Sequence, residues 1–263
     1  MTLEEQIAEI AGHQMMISQN TTARCAKCNG TFWIITETGV ARRCDCWEKE
    51  RQNRTLKFAS IPEKYKAATF QNFDIGVYAN KGVAEKIKKM CEMYAEEFEP
   101  GNKGLYIHSQ TKGSGKTRIA ATICNKLIEK KVLVKFATSS SILEEIKKTW
   151  QKTSEYAESV LIDKLIMVDV LVIDDFGTEK PKDWINDKFY YIINERYINS
   201  KTTIYTSNYK LSELDYDDRI TNRLKEVCYQ IPFLEESIRE KQATNNIEEF
   251  KTLYLNGNKG DWR

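Results

Sequence analysis

Five consecutive residues near the middle of the chain have the types and order that bind phosphate: Gly113, Ser114, Gly115, Lys116 and Thr117. Glycines let backbone N–H groups turn inward around an anion, and a helix that starts here adds the partial positive charge of its N-terminus. A lysine at this spacing reaches the β- and γ-phosphates, and the next hydroxyl holds Mg²⁺. We therefore predict an ATP-binding loop, flanked by Lys112 and Arg118.

The sequence around this loop supplies the elements that must position it. An apolar strand, Leu105–His108, precedes it, and a helix-forming run begins at Lys116. In the pattern G-x-x-x-x-G-K-[ST] the first glycine falls at Gln110, so the chain must leave the strand without the conformational freedom of glycine. The alternative is a glycine-bearing loop that binds no nucleotide.

A second group of residues could hold the metal and activate water. The apolar run 170–173 ends in two carboxylates, Asp174 and Asp175. Such a run is typical of a strand buried on both faces, and ligands bind at the carboxyl ends of parallel strands. We expect Asp174 to bind Mg²⁺ together with Thr117, and Asp175 to polarise the attacking water. The alternative is a core strand that ends in a solvated turn.

Four of the seven cysteines lie in two close pairs, Cys25-x-x-Cys28 and Cys44-x-Cys46. Four thiolates satisfy tetrahedral zinc, and pairs at this spacing deliver them. A module of this size has too little core to fold alone, so the metal would stabilise it. The alternatives are a redox pair or unligated thiols.

The composition is that of an ordinary globular protein, with 41% hydrophobic and 30% charged residues and a net charge of +2 in 263 residues. Any nucleic-acid binding would therefore depend on local patches. There is no run of about 20 apolar residues and no secretory signal. We expect a cytoplasmic protein with no membrane partner, whose thiols stay reduced.

From about residue 81 the chain alternates between helical and strand patterns, which predicts an α/β fold with a five-stranded parallel sheet flanked by helices. The predicted domains are residues 1–58 (an N-terminal helix over residues 1–19, the zinc module and a basic connector), 59–247 (the ATPase core) and 248–263 (a flexible tail). The predicted strands are Leu105–His108, Val132–Ala137, Val170–Asp174, Thr202–Thr206 and Tyr229–Ile231, and the predicted helices are Val83–Phe98, Lys116–Glu129, Ser141–Trp150, Trp184–Tyr197, Tyr216–Val227 and Leu234–Ala243.

These motifs together resemble the P-loop core of AAA+ ATPases. Residues 113–117 look like Walker A, 170–175 like Walker B, and 218–224 like the box VII helix of the initiator and loader branch. The resemblance implies an Mg²⁺-dependent ATPase in which Asn208 orients the attacking water as sensor 1. It further implies that Arg223, or else Arg219, completes a neighbouring subunit's site in trans, and that Arg239 acts as sensor 2.

Within the AAA+ proteins the chain resembles replicative helicase loaders of the DnaC/DnaI type. The resemblance rests on the segment 61–73, with Ile61-Pro62, Tyr65 and Thr69-Phe70, and on Asn194-Glu195-Arg196. It implies that ATP drives self-association through the ATP site and the placing of a hexameric helicase on single-stranded DNA. Because Asp175 is one methylene shorter than the glutamate of many AAA+ proteins, we expect slow turnover.

Several alternatives stay open. The same core occurs in transposition helper ATPases of the IstB type, which act on duplex DNA, and a non-hydrolysing ATP-binding adaptor would need no catalysis. The zinc module could contact the helicase, contact DNA, or present a plain charged surface. Residues that could serve DNA are Arg42, Arg43, Lys49, Arg51, Arg54 and Lys57 near Trp33 and Trp47, and, in the core, Lys147, Lys148 and Lys152 near Trp150.

Overall fold

The computed structural model of the protein describes residues 25–35, 40–150, 155–180 and 182–254. The predicted N-terminal helix over residues 1–19, Lys152 and the end of the predicted tail at 255–263 lie outside the described residues.

The core is a five-stranded parallel sheet in the order β4-β5-β6-β3-β7. This confirms the predicted α/β class, with every predicted strand in place and boundaries shifted by no more than two residues. The sheet strands are β3 (Gly104–His108), β4 (Val134–Thr138), β5 (Val170–Asp174), β6 (Thr202–Ser207) and β7 (Cys228–Pro232). A separate antiparallel pair, β1 (Trp33–Ile35) and β2 (Ala41–Arg43), precedes them.

Alternating side chains of the central strands pack into separate layers on the two faces of the sheet. In β5, Val170 and Val172 belong to one apolar cluster, whereas Leu171 and Ile173 belong to the other. All four are fully buried, which explains why the run is apolar throughout. Both faces of the sheet are therefore covered, and the polar ends of the strands at the carboxyl edge are left to form a site.

The helices account for most of the rest of the described chain. They are α1 (Asp45–Ala59), α2 (Lys81–Glu96), α3 (Lys116–Glu129), α4 (Ser139–Trp150), α5 (Glu155–Met167), α6 (Asp183–Ile198), α7 (Asp218–Val227) and α8 (Ile238–Tyr254). Among the described residues, no helix is long and apolar enough to cross a membrane.

The basic connector contains a helix that joins the cysteine pairs to the core. Helix α1 begins directly after Cys44, and Cys46 lies in its first turn. Its last residue, Ala59, is fully buried, and the Lys135 ammonium on β4 donates to the Phe58 carbonyl at 3.1 Å. Ser60 ends the helix in a left-handed conformation. The segment with the four clustered cysteines is thus attached to the edge of the sheet through α1.

Two other helices differ from the sequence prediction. Helix α5 was not predicted, and α8 runs from Ile238 to Tyr254 rather than from Leu234 to Ala243. The residues from Leu234 to Ser237 are not helical because they pack over the phosphate-binding loop, where the Ile238 N–H bonds the Gly113 carbonyl at 3.0 Å. The helix also continues beyond residue 248, where the flexible tail was predicted to start.

Arg196 on α6 is a buried cation that joins several segments. Its guanidinium donates to the carbonyls of Leu165 and Ile166 in the last turn of α5, and to that of Val168 just after it, at 2.8 to 3.0 Å. Complete burial lowers its pKa to about 9. A cation at a helix C-terminus satisfies carbonyls that lack intrahelical partners, so Arg196 has a structural role in positioning α5 and β5.

Candidate nucleotide site and cysteine centre

The predicted phosphate-binding loop connects β3 to α3 in the expected geometry. Helix α3 starts at Lys116, and both Gly113 (φ 77°) and Gly115 (φ 110°) adopt the left-handed backbone that favours glycine. A Cβ on Gly115 would lie 2.5 Å from the Tyr78 hydroxyl, which itself donates to the Ser114 carbonyl at 2.8 Å. The loop therefore needs glycine at Gly115 both for its conformation and for space.

Lys116 lies inside the loop with its ammonium group surrounded by oxygen atoms. It donates to the Ser109 carbonyl at 3.1 Å, the Thr111 carbonyl at 3.0 Å and the Ser114 hydroxyl at 3.2 Å. Burial lowers its pKa from the ordinary value, and the nearby Asp175 opposes that shift. The position suits a cation that meets phosphate oxygens at the N-terminus of α3.

Asp174 lies at the end of β5 and is almost completely buried. Its Oδ1 accepts a hydrogen bond of 2.5 Å from the Thr206 hydroxyl on the adjacent strand. Burial raises the pKa of Asp174 to about 6, while Thr206 and the Thr117 hydroxyl favour its charged form. Oxygen ligands of this kind, one carboxylate and one hydroxyl beside a phosphate loop, fit Mg²⁺.

Asp175 and Asn208 line the same cleft as the loop, together with Thr178. The cleft has a volume of about 480 Å³. Asp175 has a positive φ of 55°, and its backbone N–H is held by the Thr206 hydroxyl at 3.0 Å. This turn directs Asp175 out of the strand and into the cleft, where it could accept a proton from an attacking water.

The opposite wall comes from the segment before α2. Tyr65, Phe73, Val77 and Tyr78 line it. The Arg118 guanidinium lies 5.6 Å from the Phe73 ring and donates to the Asn72 carbonyl. These aromatic residues offer an apolar surface for the nucleobase end of a nucleotide. This segment carries the family resemblance in the sequence but is not predicted there as part of the site, although its aromatic residues are evident.

Helix α8 closes one side of the cleft. Arg239 and Gln242 line it, and the Arg239 side chain lies so close to Gly113 that an added Cβ would meet its Cγ at 2.9 Å. Arg239 is therefore in position to contact a phosphate group in the loop of its own chain.

Arg219 and Arg223 on α7 do not line the cleft. Arg219 forms a two-pronged ion pair with Asp217, at 3.0 and 2.9 Å, and Arg223 donates to the Tyr190 hydroxyl at 3.2 Å. Their guanidinium carbons lie 4.4 and 4.8 Å from the Tyr190 ring. Neither residue can act on the ATP site of its own chain, so any catalytic role would be in a neighbour.

The four clustered cysteines meet at one point. Their sulfur atoms all lie within 4.8 Å of one another, with Cys25 and Cys44 at 3.8 Å and Cys28 and Cys46 at 3.3 Å. A tetrahedral zinc with Zn–S bonds of about 2.3 Å needs sulfur atoms about 3.8 Å apart. Backbone N–H groups of Cys28 and Lys27 lower the pKa of Cys25 to about 6, which favours the thiolate that a metal requires. The cluster therefore fits zinc.

An exposed cation lies between two aromatic rings beside this cluster. The Arg43 guanidinium is 4.6 Å from the Trp33 ring and 4.2 Å from the Trp47 ring. Trp33 is 47% exposed, so it does not form the core of the module. Among the described residues, this face of the β1–β2 pair therefore carries an exposed aromatic ring beside a cation.

The phosphate-binding loop, the two carboxylates at the end of β5 and the parallel sheet together define a P-loop ATPase core of the AAA+ type. Residues 64–229, more than half of the chain, match the family model of the bacterial DnaA ATPase domain, and the chain belongs to that family.

Two curated relatives are similar over about two thirds of the chain. The replicative helicase loader DnaC of Escherichia coli (strain K12) is 27% identical over 184 residues, which cover 67% of this chain and 73% of DnaC. The replicative helicase loader DnaI of Bacillus subtilis (strain 168) is 28% identical over 184 residues, or 68% of this chain and 56% of DnaI.

Solved structures agree with this relationship. A crystal structure of DnaI superimposes with a TM-score of 0.56 at 27% identity, over 66% of this chain and 95% of that one. A crystal structure of the DnaC helicase loader gives a TM-score of 0.57 at 22% identity, over 65% and 99%, and so supports the fold. The matches cover the ATPase core and confirm the predicted family.

Proposed function

We propose that this protein is an ATP-dependent loader that binds a replicative hexameric helicase and places it on single-stranded DNA. The observation that carries the proposal is the convergence of Lys116, Asp175 and Asn208 on one cleft in a chain whose relatives are named replicative helicase loaders.

The site residues have separate tasks in ATP hydrolysis. Backbone N–H groups of the loop and Lys116 bind the β- and γ-phosphates, while Arg239 approaches the loop from α8. Mg²⁺ bound by Thr117 and Asp174 would neutralise charge that develops on the phosphates. Asp175 accepts a proton from the attacking water, and Asn208 orients that water.

Assembly would complete the site. A planar cation stabilises the charge that gathers on the transferred phosphoryl group. Arg223 lies outside its own cleft, beside Tyr190, so it could supply that cation only to a neighbouring subunit. Hydrolysis would then depend on self-association through the ATP site.

The zinc module is the proposed contact with the helicase. Its exposed Trp33 and the sandwiched Arg43 combine apolar area with a charge, as residues that dominate protein interfaces often do. Single-stranded DNA would meet the core near Trp150, which is 52% exposed and packs edge-on against Trp184 at 5.0 Å. The ammonium of Lys147 lies 5.3 Å from the Trp184 ring, so a cation and aromatic faces occur together there.

Complex formation with the replicative helicase of the source organism tests the proposal. The full chain is mixed with the helicase, with and without ATP, and separated on a sizing column. Trp33→Ala and Lys116→Ala are compared with the unchanged chain. Deletion of residues 1–58 is avoided because α1 packs against β4.

A complex that weakens with Trp33→Ala would support the loader and its docking face. Absence of a complex in every condition would overturn the loader function, and preferential binding to duplex DNA would then favour a transposition helper. An unchanged chain that binds ATP without hydrolysing it, with the complex retained, would favour an adaptor.

A further inference from the structure

Gln110, at the position where the phosphate-loop pattern has a glycine, is held by two carboxylates from distant parts of the chain. Glu235 Oε1 accepts the Gln110 N–H at 3.0 Å, and its Oε2 accepts the Thr111 N–H at 2.8 Å and the Ser109 hydroxyl at 3.0 Å. The Gln110 side-chain amide donates to the two carboxylate oxygens of Glu213, at 3.2 and 3.4 Å. Three segments therefore meet at Gln110.

The contacts of Glu235 explain how the loop forms without the first glycine. Gln110 does not adopt a left-handed backbone, whereas Gly113 and Gly115 do. The chain leaves β3 in a conformation open to any residue, and Glu235 satisfies the N–H groups of Gln110 and Thr111. Charge-assisted hydrogen bonds of this kind are stronger than neutral ones and fix backbone position.

The contact of Gln110 with Glu213 reaches another part of the site. Glu213 lies in a short turn, Leu211–Glu213, and its Oε2 also accepts the Lys210 N–H at 2.9 Å. This turn follows Asn208 and precedes α7, the helix that carries Arg223. Gln110 thus connects the phosphate-binding loop to the segment between the water-orienting residue and α7.

We propose that Gln110 and Glu235 are positioning residues of the ATP site: Glu235 fixes the exit of β3, and Gln110 keeps Asn208 in register with Lys116. This inference rests on the proposed ATP hydrolysis. All three of Gln110, Glu213 and Glu235 are exposed, so their hydrogen bonds add little to stability. A displacement of reacting groups by about 1 Å, however, can reduce a rate by about 100-fold. The expected signature is a lower kcat for a change at Gln110 and weaker nucleotide binding for a change at Glu235, each in a normally folded protein.

An exchange of amide and carboxylate tests the link between Gln110 and Glu213. Gln110→Glu places two carboxylates face to face and should lower kcat for ATP hydrolysis about tenfold. The affinity for a fluorescent ATP analogue should change less than about threefold, because the phosphate-binding N–H groups are untouched. In the double variant Gln110→Glu/Glu213→Gln the donor and acceptor exchange places, so kcat should recover to within about threefold of the unchanged chain.

Glu235 is tested separately. Glu235→Ala removes the acceptor of the Gln110 N–H and the shorter of the two hydrogen bonds of the Thr111 N–H, and should weaken analogue binding about tenfold. Glu240→Ala is the matched control: Glu240 is also exposed and lies five residues further on, in α8, so the same change removes the same charge away from the loop. Thermal melting of every variant checks that folding is retained.

Two outcomes overturn the inference alone. In the first, the unchanged chain is active and the variants at Gln110 and Glu235 equal it in kcat and in analogue affinity. In the second, the double variant is folded but its kcat is no higher than that of Gln110→Glu. An unchanged chain that binds no analogue overturns the proposed function and this inference together.

Discussion

The Thr206 hydroxyl on β6 connects the two acidic residues at the end of β5. It donates to Asp174 Oδ1 at 2.5 Å and accepts the Asp175 N–H at 3.0 Å. Thr206 is fully buried, and Asp174 is almost completely buried. The placement of the proposed Mg²⁺ ligand relative to the proposed water-polarising carboxylate therefore depends on one side chain from a neighbouring strand.

Replacement of Thr206 by valine should damage both stability and the site. Thr206→Val removes the acceptor of the Asp175 N–H and one hydrogen-bond donor of the buried Asp174 carboxylate, which costs about 1–3 kcal/mol of the free energy of unfolding. Mg²⁺-dependent affinity for an ATP analogue should fall with it. Thr206→Ser keeps the hydroxyl and should stay near the unchanged chain in both respects. Urea unfolding and analogue titration make the measurements, and equal behaviour of the valine and serine variants would contradict this account.

Asp174 should make stability depend on pH. Burial raises its pKa from 3.8 to about 6. Between those values the folded protein keeps a proton that the unfolded chain has lost, so the stability contributed by the neutral form is fully present below about pH 4 and is lost as the pH rises through 6.

The variant Asp174→Asn removes this titration. In Mg²⁺-free buffer it should raise the free energy of unfolding at pH 7.5 by up to about 3 kcal/mol and leave it nearly unchanged at pH 4. The same variant should lose Mg²⁺-dependent analogue binding. Urea unfolding at the two pH values provides the check, and a difference from the unchanged chain that is the same at both would show that Asp174 does not titrate in this range.

Local patterns in the sequence were sufficient to predict the sheet and much of the cleft. The phosphate-binding loop, the buried strand and the carboxylates at its end each occupy a few consecutive residues. Their chemistry can therefore be predicted without knowledge of the fold. Helix α5 was not predicted because its apolar residues do not form a single stripe, and because the carbonyls at its C-terminus are satisfied by Arg196, 28 to 31 residues away.

The missed parts of the site depend on contacts between distant residues. Glu235 meets Gln110 across 125 residues, and Glu213 meets it across 103. No local pattern marks a carboxylate as the partner of a loop N–H so far along the chain. The sequence shows that Gln110 stands where the loop pattern has glycine. Only the fold shows that Glu235 and Glu213 hold the loop in place there.

The cysteine centre should contain one zinc ion per chain. Replacement of Cys28 and Cys46 together by serine should abolish bound zinc, since hard hydroxyls are poor substitutes for thiolates. Because Cys46 lies in the first turn of α1, helical content should also fall. Elemental analysis and circular dichroism make the measurements. Cys91→Ala, in the core on α2, is the control that should keep the zinc. A wild-type chain that is kept reduced throughout purification and still contains no metal would contradict the assignment.

Arg223 should act only in assembled protein. Arg223→Ala should bind the ATP analogue normally, because Arg223 is absent from the cleft of its own chain, yet its ATPase rate in the assembled state should fall by about 10³-fold or more.

Lys116→Ala should be inactive for the opposite reason, since it cannot bind nucleotide but still carries Arg223. A mixture of the two inactive variants should therefore regain part of the activity, as each competent ATP site of one meets the arginine of the other. Arg219→Ala, which mainly breaks an exposed ion pair with Asp217, should have a smaller effect. Normal activity of Arg223→Ala alone, or a mixture with no more activity than its components, would rule out an arginine supplied in trans by this residue.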